Sequence, residues 1–237
     1  MDLKLKDKVI IVGGGEGGIG TVVCDFLREE GARVISLDKK KGDDLSNPEM
    51  VKRVFSEIRK HNRELYGYCS LTYGGGGESG ILEATPWDVE GELRGTLLSA
   101  VYPIQEAIRW MKETGGGHIV IVSSINSVLG LNEFAYDLAK GALNRIAPDI
   151  AIGCGKYGIY AVTLCPGNVI DTPAWKDKQA DIERIAKVIP DGKPEKSIDV
   201  ARTVAFLVSP FGEMFNGCTL IADRGWHLKP LFKDKKD

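Results

Sequence analysis

The chain has 237 residues, 43% of them hydrophobic and 27% charged, with a formal net charge of -2. That length suits one domain with a sizeable core, and the near-neutral balance gives no reason to expect a nucleic acid or an acidic membrane surface as partner. Five scattered cysteines without a CxxC pair, and three histidines far apart in sequence, argue against a disulfide framework and against a metal centre.

The charged start "MDLKLKDK" is unlike a signal peptide and leads into "KVIIVGG", an apolar run that reads as a buried strand. Residues 19–30 form a helical pattern, with Val22, Val23, Phe26 and Leu27 on its apolar side and Gly31 as its stop. "RVISLD" is the second strand. "SNPEMVKRVFSEIRKHN" opens a second helix, with Ser46 and Glu49 spaced as a capping box. "YGYCSLT" reads as a strand, and "TPWD" places Thr85 as N-cap and Pro86 at the first position of a long helix reaching about Met111. "HIVIVSS" is a strand, followed by a helix holding "AYDLAKGAL". "YAVTLCPG", "SIDVARTVAFLV" and "CTLIAD" read as strand, helix and strand. No apolar run approaches membrane-spanning length, and the tail "KDKK" reads as a solvated end. Repeated strand–helix units with apolar strands predict an α/β fold: a doubly wound, Rossmann-type parallel sheet in three α/β/α layers, one domain over residues 1–237. The stretch 168–196 is the longest without a strand and is the expected place for a substrate loop. The cysteine pattern fits a reducing cytoplasm.

Two patterns carry chemistry. "VGGGEGGIG", residues 12–20, lies between the first strand and the first helix, with Gly14, Gly18 and Gly20 in a G-x3-G-x-G spacing. Glycines let a backbone approach a pyrophosphate, and the helix start at Ile19 offers free N–H groups and a positive dipole end. Asp38, at the end of the second strand, suits a ribose 2′-OH and repels a 2′-phosphate, which favours NAD. The lysines at 39–41 argue for NADP instead. Farther along, Tyr136 and Lys140 stand at i and i+4 and share a helix face.

The glycine spacing, "SS" closing a strand and Y-x3-K on the next helix together resemble the short-chain dehydrogenase/reductase family over about residues 6–228. "DDL" resembles its Asp-apolar step, and "KYGIYAVTLCPG" its sixth strand with a Pro-Gly turn. The resemblance implies Tyr136 as catalytic acid/base and Lys140 as the group that holds the nicotinamide ribose and lowers the phenol's pKa. It implies Ser124, rather than the adjacent Ser123, as the residue orienting the substrate oxygen. Tyr136 follows Ser124 by 12 residues, one fewer than usual, a deletion placed in the loop after Gly130. Cofactor contacts are implied for Gly14, Gly15, Gly18, Ile19, Gly20, Asp38, Asp44, Leu45, Tyr73, Gly74, Tyr136, Lys140, Pro166, Gly167, Val169 and Thr172. The implied activity is hydride transfer between NAD, NADP being second choice, and a small alcohol or ketone. A homo-oligomer, dimer or tetramer, is implied through the long helix and the Tyr–Lys helix.

The chain also departs from the family. "LTYG", residues 71–74, stands where Asn-Asn-Ala-Gly is usual, so Leu71 cannot make a side-chain bond there and Tyr73 narrows the site. Thr96 falls where a relay asparagine is expected on the long helix, with Glu92 one turn earlier as the lesser match. Gly13 replaces a threonine, and the segment from Asp38 to Asp44 leaves no room for a helix. These departures keep two alternatives open: non-redox lyase or dehydratase chemistry, and a cofactor-binding protein without turnover. Trp175 and Phe134 hint at an apolar or ring-shaped substrate.

Overall fold

The computed structural model describes residues 1–75 and 79–231, so the tail "KDKK" lies outside the described residues. Six strands, β1 (Val9–Gly13), β2 (Arg33–Leu37), β3 (Gly67–Ser70), β4 (Gly117–Val122), β5 (Ile159–Pro166) and β6 (Thr219–Ala222), form a sheet in the order β2-β1-β3-β4-β5-β6. Every pairing is parallel. β1, β3 and β4 are buried at every residue, as strands covered on both faces must be, which is why they read as unbroken apolar runs. The two edge strands are less covered: β2 is buried only at Leu37, and β6 exposes Thr219, Ile221 and Ala222.

Alternate strand residues point to opposite faces. Ile10, Val12, Val120 and Val162 pack against α1 (Gly18–Glu29) and α8 (Ser197–Val208), where Val23, Leu27, Val204 and Val208 meet them. Ile11, Tyr68, Ile119 and Ile121 pack on the other face, against α2 (Pro48–His61), α4 (Ser99–Thr114) and α6 (Ile146–Cys154) through Phe55, Trp110, Met111 and Ile150. Three layers result, as the strand–helix alternation predicts.

Local structure adds detail that the sequence reading did not give. α2 is capped by Asn47, whose side chain accepts from the N–H groups of Glu49 and Met50, while Ser46 donates to Asp44. Asn47 stands directly before Pro48 and so takes the cap position. The helix opening at Thr85 is not one regular helix. α3 (Pro86–Glu92) passes through a π-helical turn, Leu93–Leu98, into α4, which runs on to Thr114 and stops at Gly115 with φ 102°. Residues 39–41 form a single 3-10 turn capped by the Asp38 side chain. The strand-free stretch 168–196 contains α7 (Gln179–Val188), and the Tyr–Lys helix α5 (Phe134–Leu143) is followed directly by α6, which the sequence reading did not separate.

Candidate active site

Parallel pairing brings the C-terminal ends of all six strands to one side of the sheet. β2 and β3 flank β1, so the winding reverses there and opens a crevice beyond the end of β1. The glycine turn fills this position. Gly14 has φ +78°, and a Cβ there would stand 2.6 Å from the Leu71 carbonyl oxygen; a Cβ on Gly20 would stand 2.0 Å from the Gly14 carbonyl oxygen. Both positions therefore admit only glycine. α1 begins after Gly17 with no capping side chain and no acid in its first turn, which leaves its first N–H groups available to an anion. Gly15 abuts the Ser36 hydroxyl, and Ile19 packs against the core beneath α1.

At the end of β2, Asp38 accepts from the Glu16 N–H at 3.1 Å and the Lys40 N–H at 2.9 Å. The lysines beside it turn inward. Lys41 pairs with the Glu16 carboxylate at 2.8 Å, and the Lys40 ammonium donates to the Glu16 carbonyl at 2.8 Å. Lys41, together with the Ser36 hydroxyl, holds the Glu16 carboxyl below its usual range. Asp44 accepts from both the N–H and the hydroxyl of Ser46, which lowers its pKa. Leu45 is buried against Gly13.

Ser124, Tyr136 and Lys140 come together where β4 ends against α5. The Ser124 hydroxyl donates to Asn126 Oδ1 at 3.1 Å, and Asn126 in turn donates to Asp137 at 2.7 Å and Glu133 at 3.3 Å. Ser123 is turned away and donates to the Lys140 carbonyl at 2.9 Å. Lys140 is 4% exposed; its Nζ donates to the Val122 carbonyl at 3.1 Å and lies 5.7 Å from the Tyr136 ring centre. Burial pushes the phenol of Tyr136 above its ordinary range, the facing Ser124 hydroxyl opposes the rise, and Tyr73, Glu133 and Glu92 add to it. Burial likewise pushes Lys140 down to about 8, against the pull of Glu92 and Cys165. The lowering of the phenol by Lys140 that the resemblance implies belongs to the site with the nicotinamide in place.

Across the crevice, the segment after β3 presses on the π-helical turn. A Cβ on Gly95 would stand 2.4 Å from the Gly74 Cα, an approach only two glycines permit. Thr96 is fully buried; its hydroxyl donates to Glu92 and accepts from the Gly74 N–H at 2.8 Å. Leu71 solves its missing side-chain bond through the backbone, with its N–H on the Gly13 carbonyl at 2.8 Å. Tyr73 sets its ring edge-on to Tyr136, 5.6 Å between centres.

On the far side, Pro166 ends β5 and the Gly167 N–H bonds the Ala222 carbonyl at 3.2 Å. Val169 bridges Glu195, and Thr172 packs onto Gly18, within 2.9 Å of where its Cβ would be. Asn126, Asp137 and Glu92 are the residues that sequence reasoning missed or ranked low. Only the i, i+2 spacing of Ser124 and Asn126 carried a local signal.

The crevice joins a doubly wound sheet to a Tyr–Lys pair, the arrangement of an oxidoreductase working with a dinucleotide. A family model described as Enoyl-(Acyl carrier protein) reductase matches residues 14–227. An acetoacetyl-CoA reductase from Synechocystis sp. is 31% identical, with 96% of this chain and 99% of that protein covered. An NAD-dependent glycerol dehydrogenase from Listeria innocua is 28% identical over 96% of this chain and 97% of that one. Among solved structures, ElxO with NADP bound has the same fold at a TM-score of 0.87 and 19% identity, over 94% of this chain and 99% of that one. The chain belongs to the short-chain dehydrogenase/reductase family. It is an NAD(P)-dependent oxidoreductase that interconverts a hydroxyl and a carbonyl on a small organic substrate. The bare glycine turn, the uncapped start of α1 and the carboxylate at the end of β2 fit such a cofactor.

Proposed function

We propose that Tyr136 is the general acid/base, Ser124 the group that orients the substrate oxygen, and Lys140 the cation that holds the nicotinamide ribose and favours the phenolate. The convergence of these three side chains at one end of β4 carries this reading. When bound, the nicotinamide supplies the hydride exchange. In reduction, Tyr136 gives its proton to the oxygen that becomes the hydroxyl; burial keeps the phenol protonated and ready for this. In oxidation, Tyr136 takes the proton from the substrate hydroxyl, and Lys140 is the cation of this chain that eases the loss of the phenol's own proton. Asn126, held by Asp137 and Glu133, fixes the direction of the Ser124 hydroxyl. The test is a panel of alcohols and ketones with NAD or NADH, followed at the absorbance of reduced nicotinamide. Binding without turnover on every member would sink the reading.

NAD is the preferred cofactor in this proposal. Asp38 supports it, and so does Glu16, which engages Lys40 and Lys41 that would otherwise favour a 2′-phosphate. Asp38→Ala removes both the 2′-OH acceptor and the repelling charge. It is expected to narrow the NAD over NADP preference by about tenfold, or about 1.4 kcal/mol, in cofactor titrations. Equal binding of both cofactors by the unmutated protein would count against the preference.

The segment 168–196 acts as the substrate loop of one domain spanning residues 1–237. In support, the Val169–Glu195 bridge closes its base and α7 has no buried residue. Glycine turn, Asp38, Asp44, Leu45, Tyr73, Gly74, Pro166, Gly167, Val169 and Thr172 line the cofactor's path. The protein works as an isologous homo-oligomer. Leu138 on α5 and Ile152 on α6 remain 45% and 83% exposed, which favours a covering partner. Light scattering at micromolar concentration is expected to give a mass of at least two chains, and a monomer would refute this. The cytoplasm is the proposed compartment, since all five cysteines are free; no helix among the described residues is long and apolar enough to cross a membrane.

A further inference from the structure

Glu195 stands just before the N-cap of α8 and is only 5% exposed. Its carboxyl lies against the turn that ends β5: a Cβ on Gly167 would stand 2.7 Å from Oε2 and 2.9 Å from Oε1. Among the described residues neither oxygen has a hydrogen-bond partner. The backbone of the same residue closes the base of segment 168–196, through the bridge to Val169 and the Ile170 N–H, which donates to its carbonyl at 3.1 Å. The charges around it are committed elsewhere. Arg224 pairs with Asp191 at 3.0 Å and with Asp199 at 3.6 Å. Asp223 is held by His227 at 2.8 Å, and Asp171 accepts from the Ser197 hydroxyl at 2.7 Å. Lys196 and Arg202 are exposed. An ionised carboxylate sealed from water, with no donor and no cation on its oxygens, is costly, so the group keeps its proton. Burial, with Asp223 and Asp199 near, pushes the carboxyl up to about 7, and Arg224 opposes the rise.

We propose that Glu195 works as a neutral acid beneath the Pro166–Gly167 turn, a positioning residue that sets Gly167 and Val169 for the cofactor only while it carries its proton. The inference rests on the reading that this turn lines the cofactor's path. An ionised Glu195 has to turn toward solvent or toward Arg224. It then leaves Gly167 unsupported and pulls on the Val169 bridge, because both contacts belong to one residue. The protonated form is the one that favours binding, so cofactor affinity falls as the pH rises through the midpoint of this acid, and binding above that midpoint takes up a proton.

The experiment is calorimetric titration of the full chain with NAD across the pH range, in pairs of buffers that differ in ionisation enthalpy, so that affinity and proton uptake are read together. Glu195→Gln and Glu195→Met keep the length of the side chain and cannot ionise; circular dichroism confirms that each folds. In the unmutated protein the affinity is expected to be about tenfold weaker at about pH 8 than at about pH 6, with uptake of about one proton at the higher pH. Both variants are expected to lose that uptake and to bind at about pH 8 as the unmutated protein does at about pH 6. Uptake retained in the variants overturns the proposal, since another group then supplies it. So does a variant that binds more weakly at every pH, which is the signature of packing alone. NMR of 13C-labelled glutamate in the cofactor-free protein reads the acid itself: a Glu195 carboxyl that is ionised at pH 6 overturns the proposal whatever the cofactor does. A Gly167 amide signal unmoved by NAD would strike the cofactor path, a failure distinct from that of the acid.

Discussion

Tyr136→Phe is expected to lower turnover by about two to four orders of magnitude while NAD affinity stays nearly constant. The substitution keeps the ring that meets Tyr73 edge-on and removes only the oxygen facing Ser124. Nothing in the glycine turn or at Asp38 depends on that oxygen, so a titration of cofactor binding separates lost chemistry from lost binding. Lys140→Ala behaves differently. It takes away a buried side chain that donates to the Val122 carbonyl, and it is expected to weaken cofactor binding and turnover together. In the unmutated enzyme, oxidation should rise with pH through one group, and that rise should vanish with the phenol. Full activity of Tyr136→Phe would require a different base.

Gly20→Ala is expected to abolish usable dinucleotide binding with little loss of secondary structure. The new Cβ would fall 2.0 Å from the Gly14 carbonyl oxygen. Gly14 cannot yield, because its N–H is tied to the Leu37 carbonyl at 2.8 Å and its own Cβ side faces the Leu71 backbone. The start of α1 must therefore shift away from the crevice, at a cost of about 3 kcal/mol, which is about two orders of magnitude in affinity. Calorimetric titration with NAD reads the loss. Gly153→Ala in α6 is the control, since a Cβ there meets nothing within 4 Å. Native-like affinity in Gly20→Ala would mean that the turn does not carry the cofactor.

Much of the fold was legible in the sequence for a physical reason. Strands buried on both faces leave continuous apolar runs, and the turns at the switch point demand glycines, so β1, β3, β4 and the loop at 12–20 were readable from composition alone. The Tyr–Lys pair was readable because helical spacing is rigid. What escaped was set by tertiary contacts. Ser46 has the spacing of a cap, yet Asn47 takes that place while Ser46 turns to Asp44. Glu16, 24 residues before Lys40, engages two of the three lysines after Asp38, a contact that no local pattern shows. The burial of the Tyr136 phenol, which raises its pKa, likewise has no signature in a local pattern.

The π-helical turn at Leu93–Leu98 makes the count of residues itself a functional quantity. Each residue of an α-helix advances it by about 100°, so the surplus residue of a π turn rotates the helix before it by about that angle against the helix after it. α4 is anchored in the core through Ile104, Ala107, Trp110 and Met111, while α3 is anchored by its cap at Thr85. Removing one residue between these anchors would let the helix become regular and would swing Glu92 away from Gly74, even if every remaining side chain were native. Substitutions in this stretch alter one contact at a time; a change of length alters the bearing of a whole segment. Turns of this kind are frequent at functional sites, and here the reason is one of phase: an irregular helix is how a chain of fixed pitch aims two anchored halves at the same point.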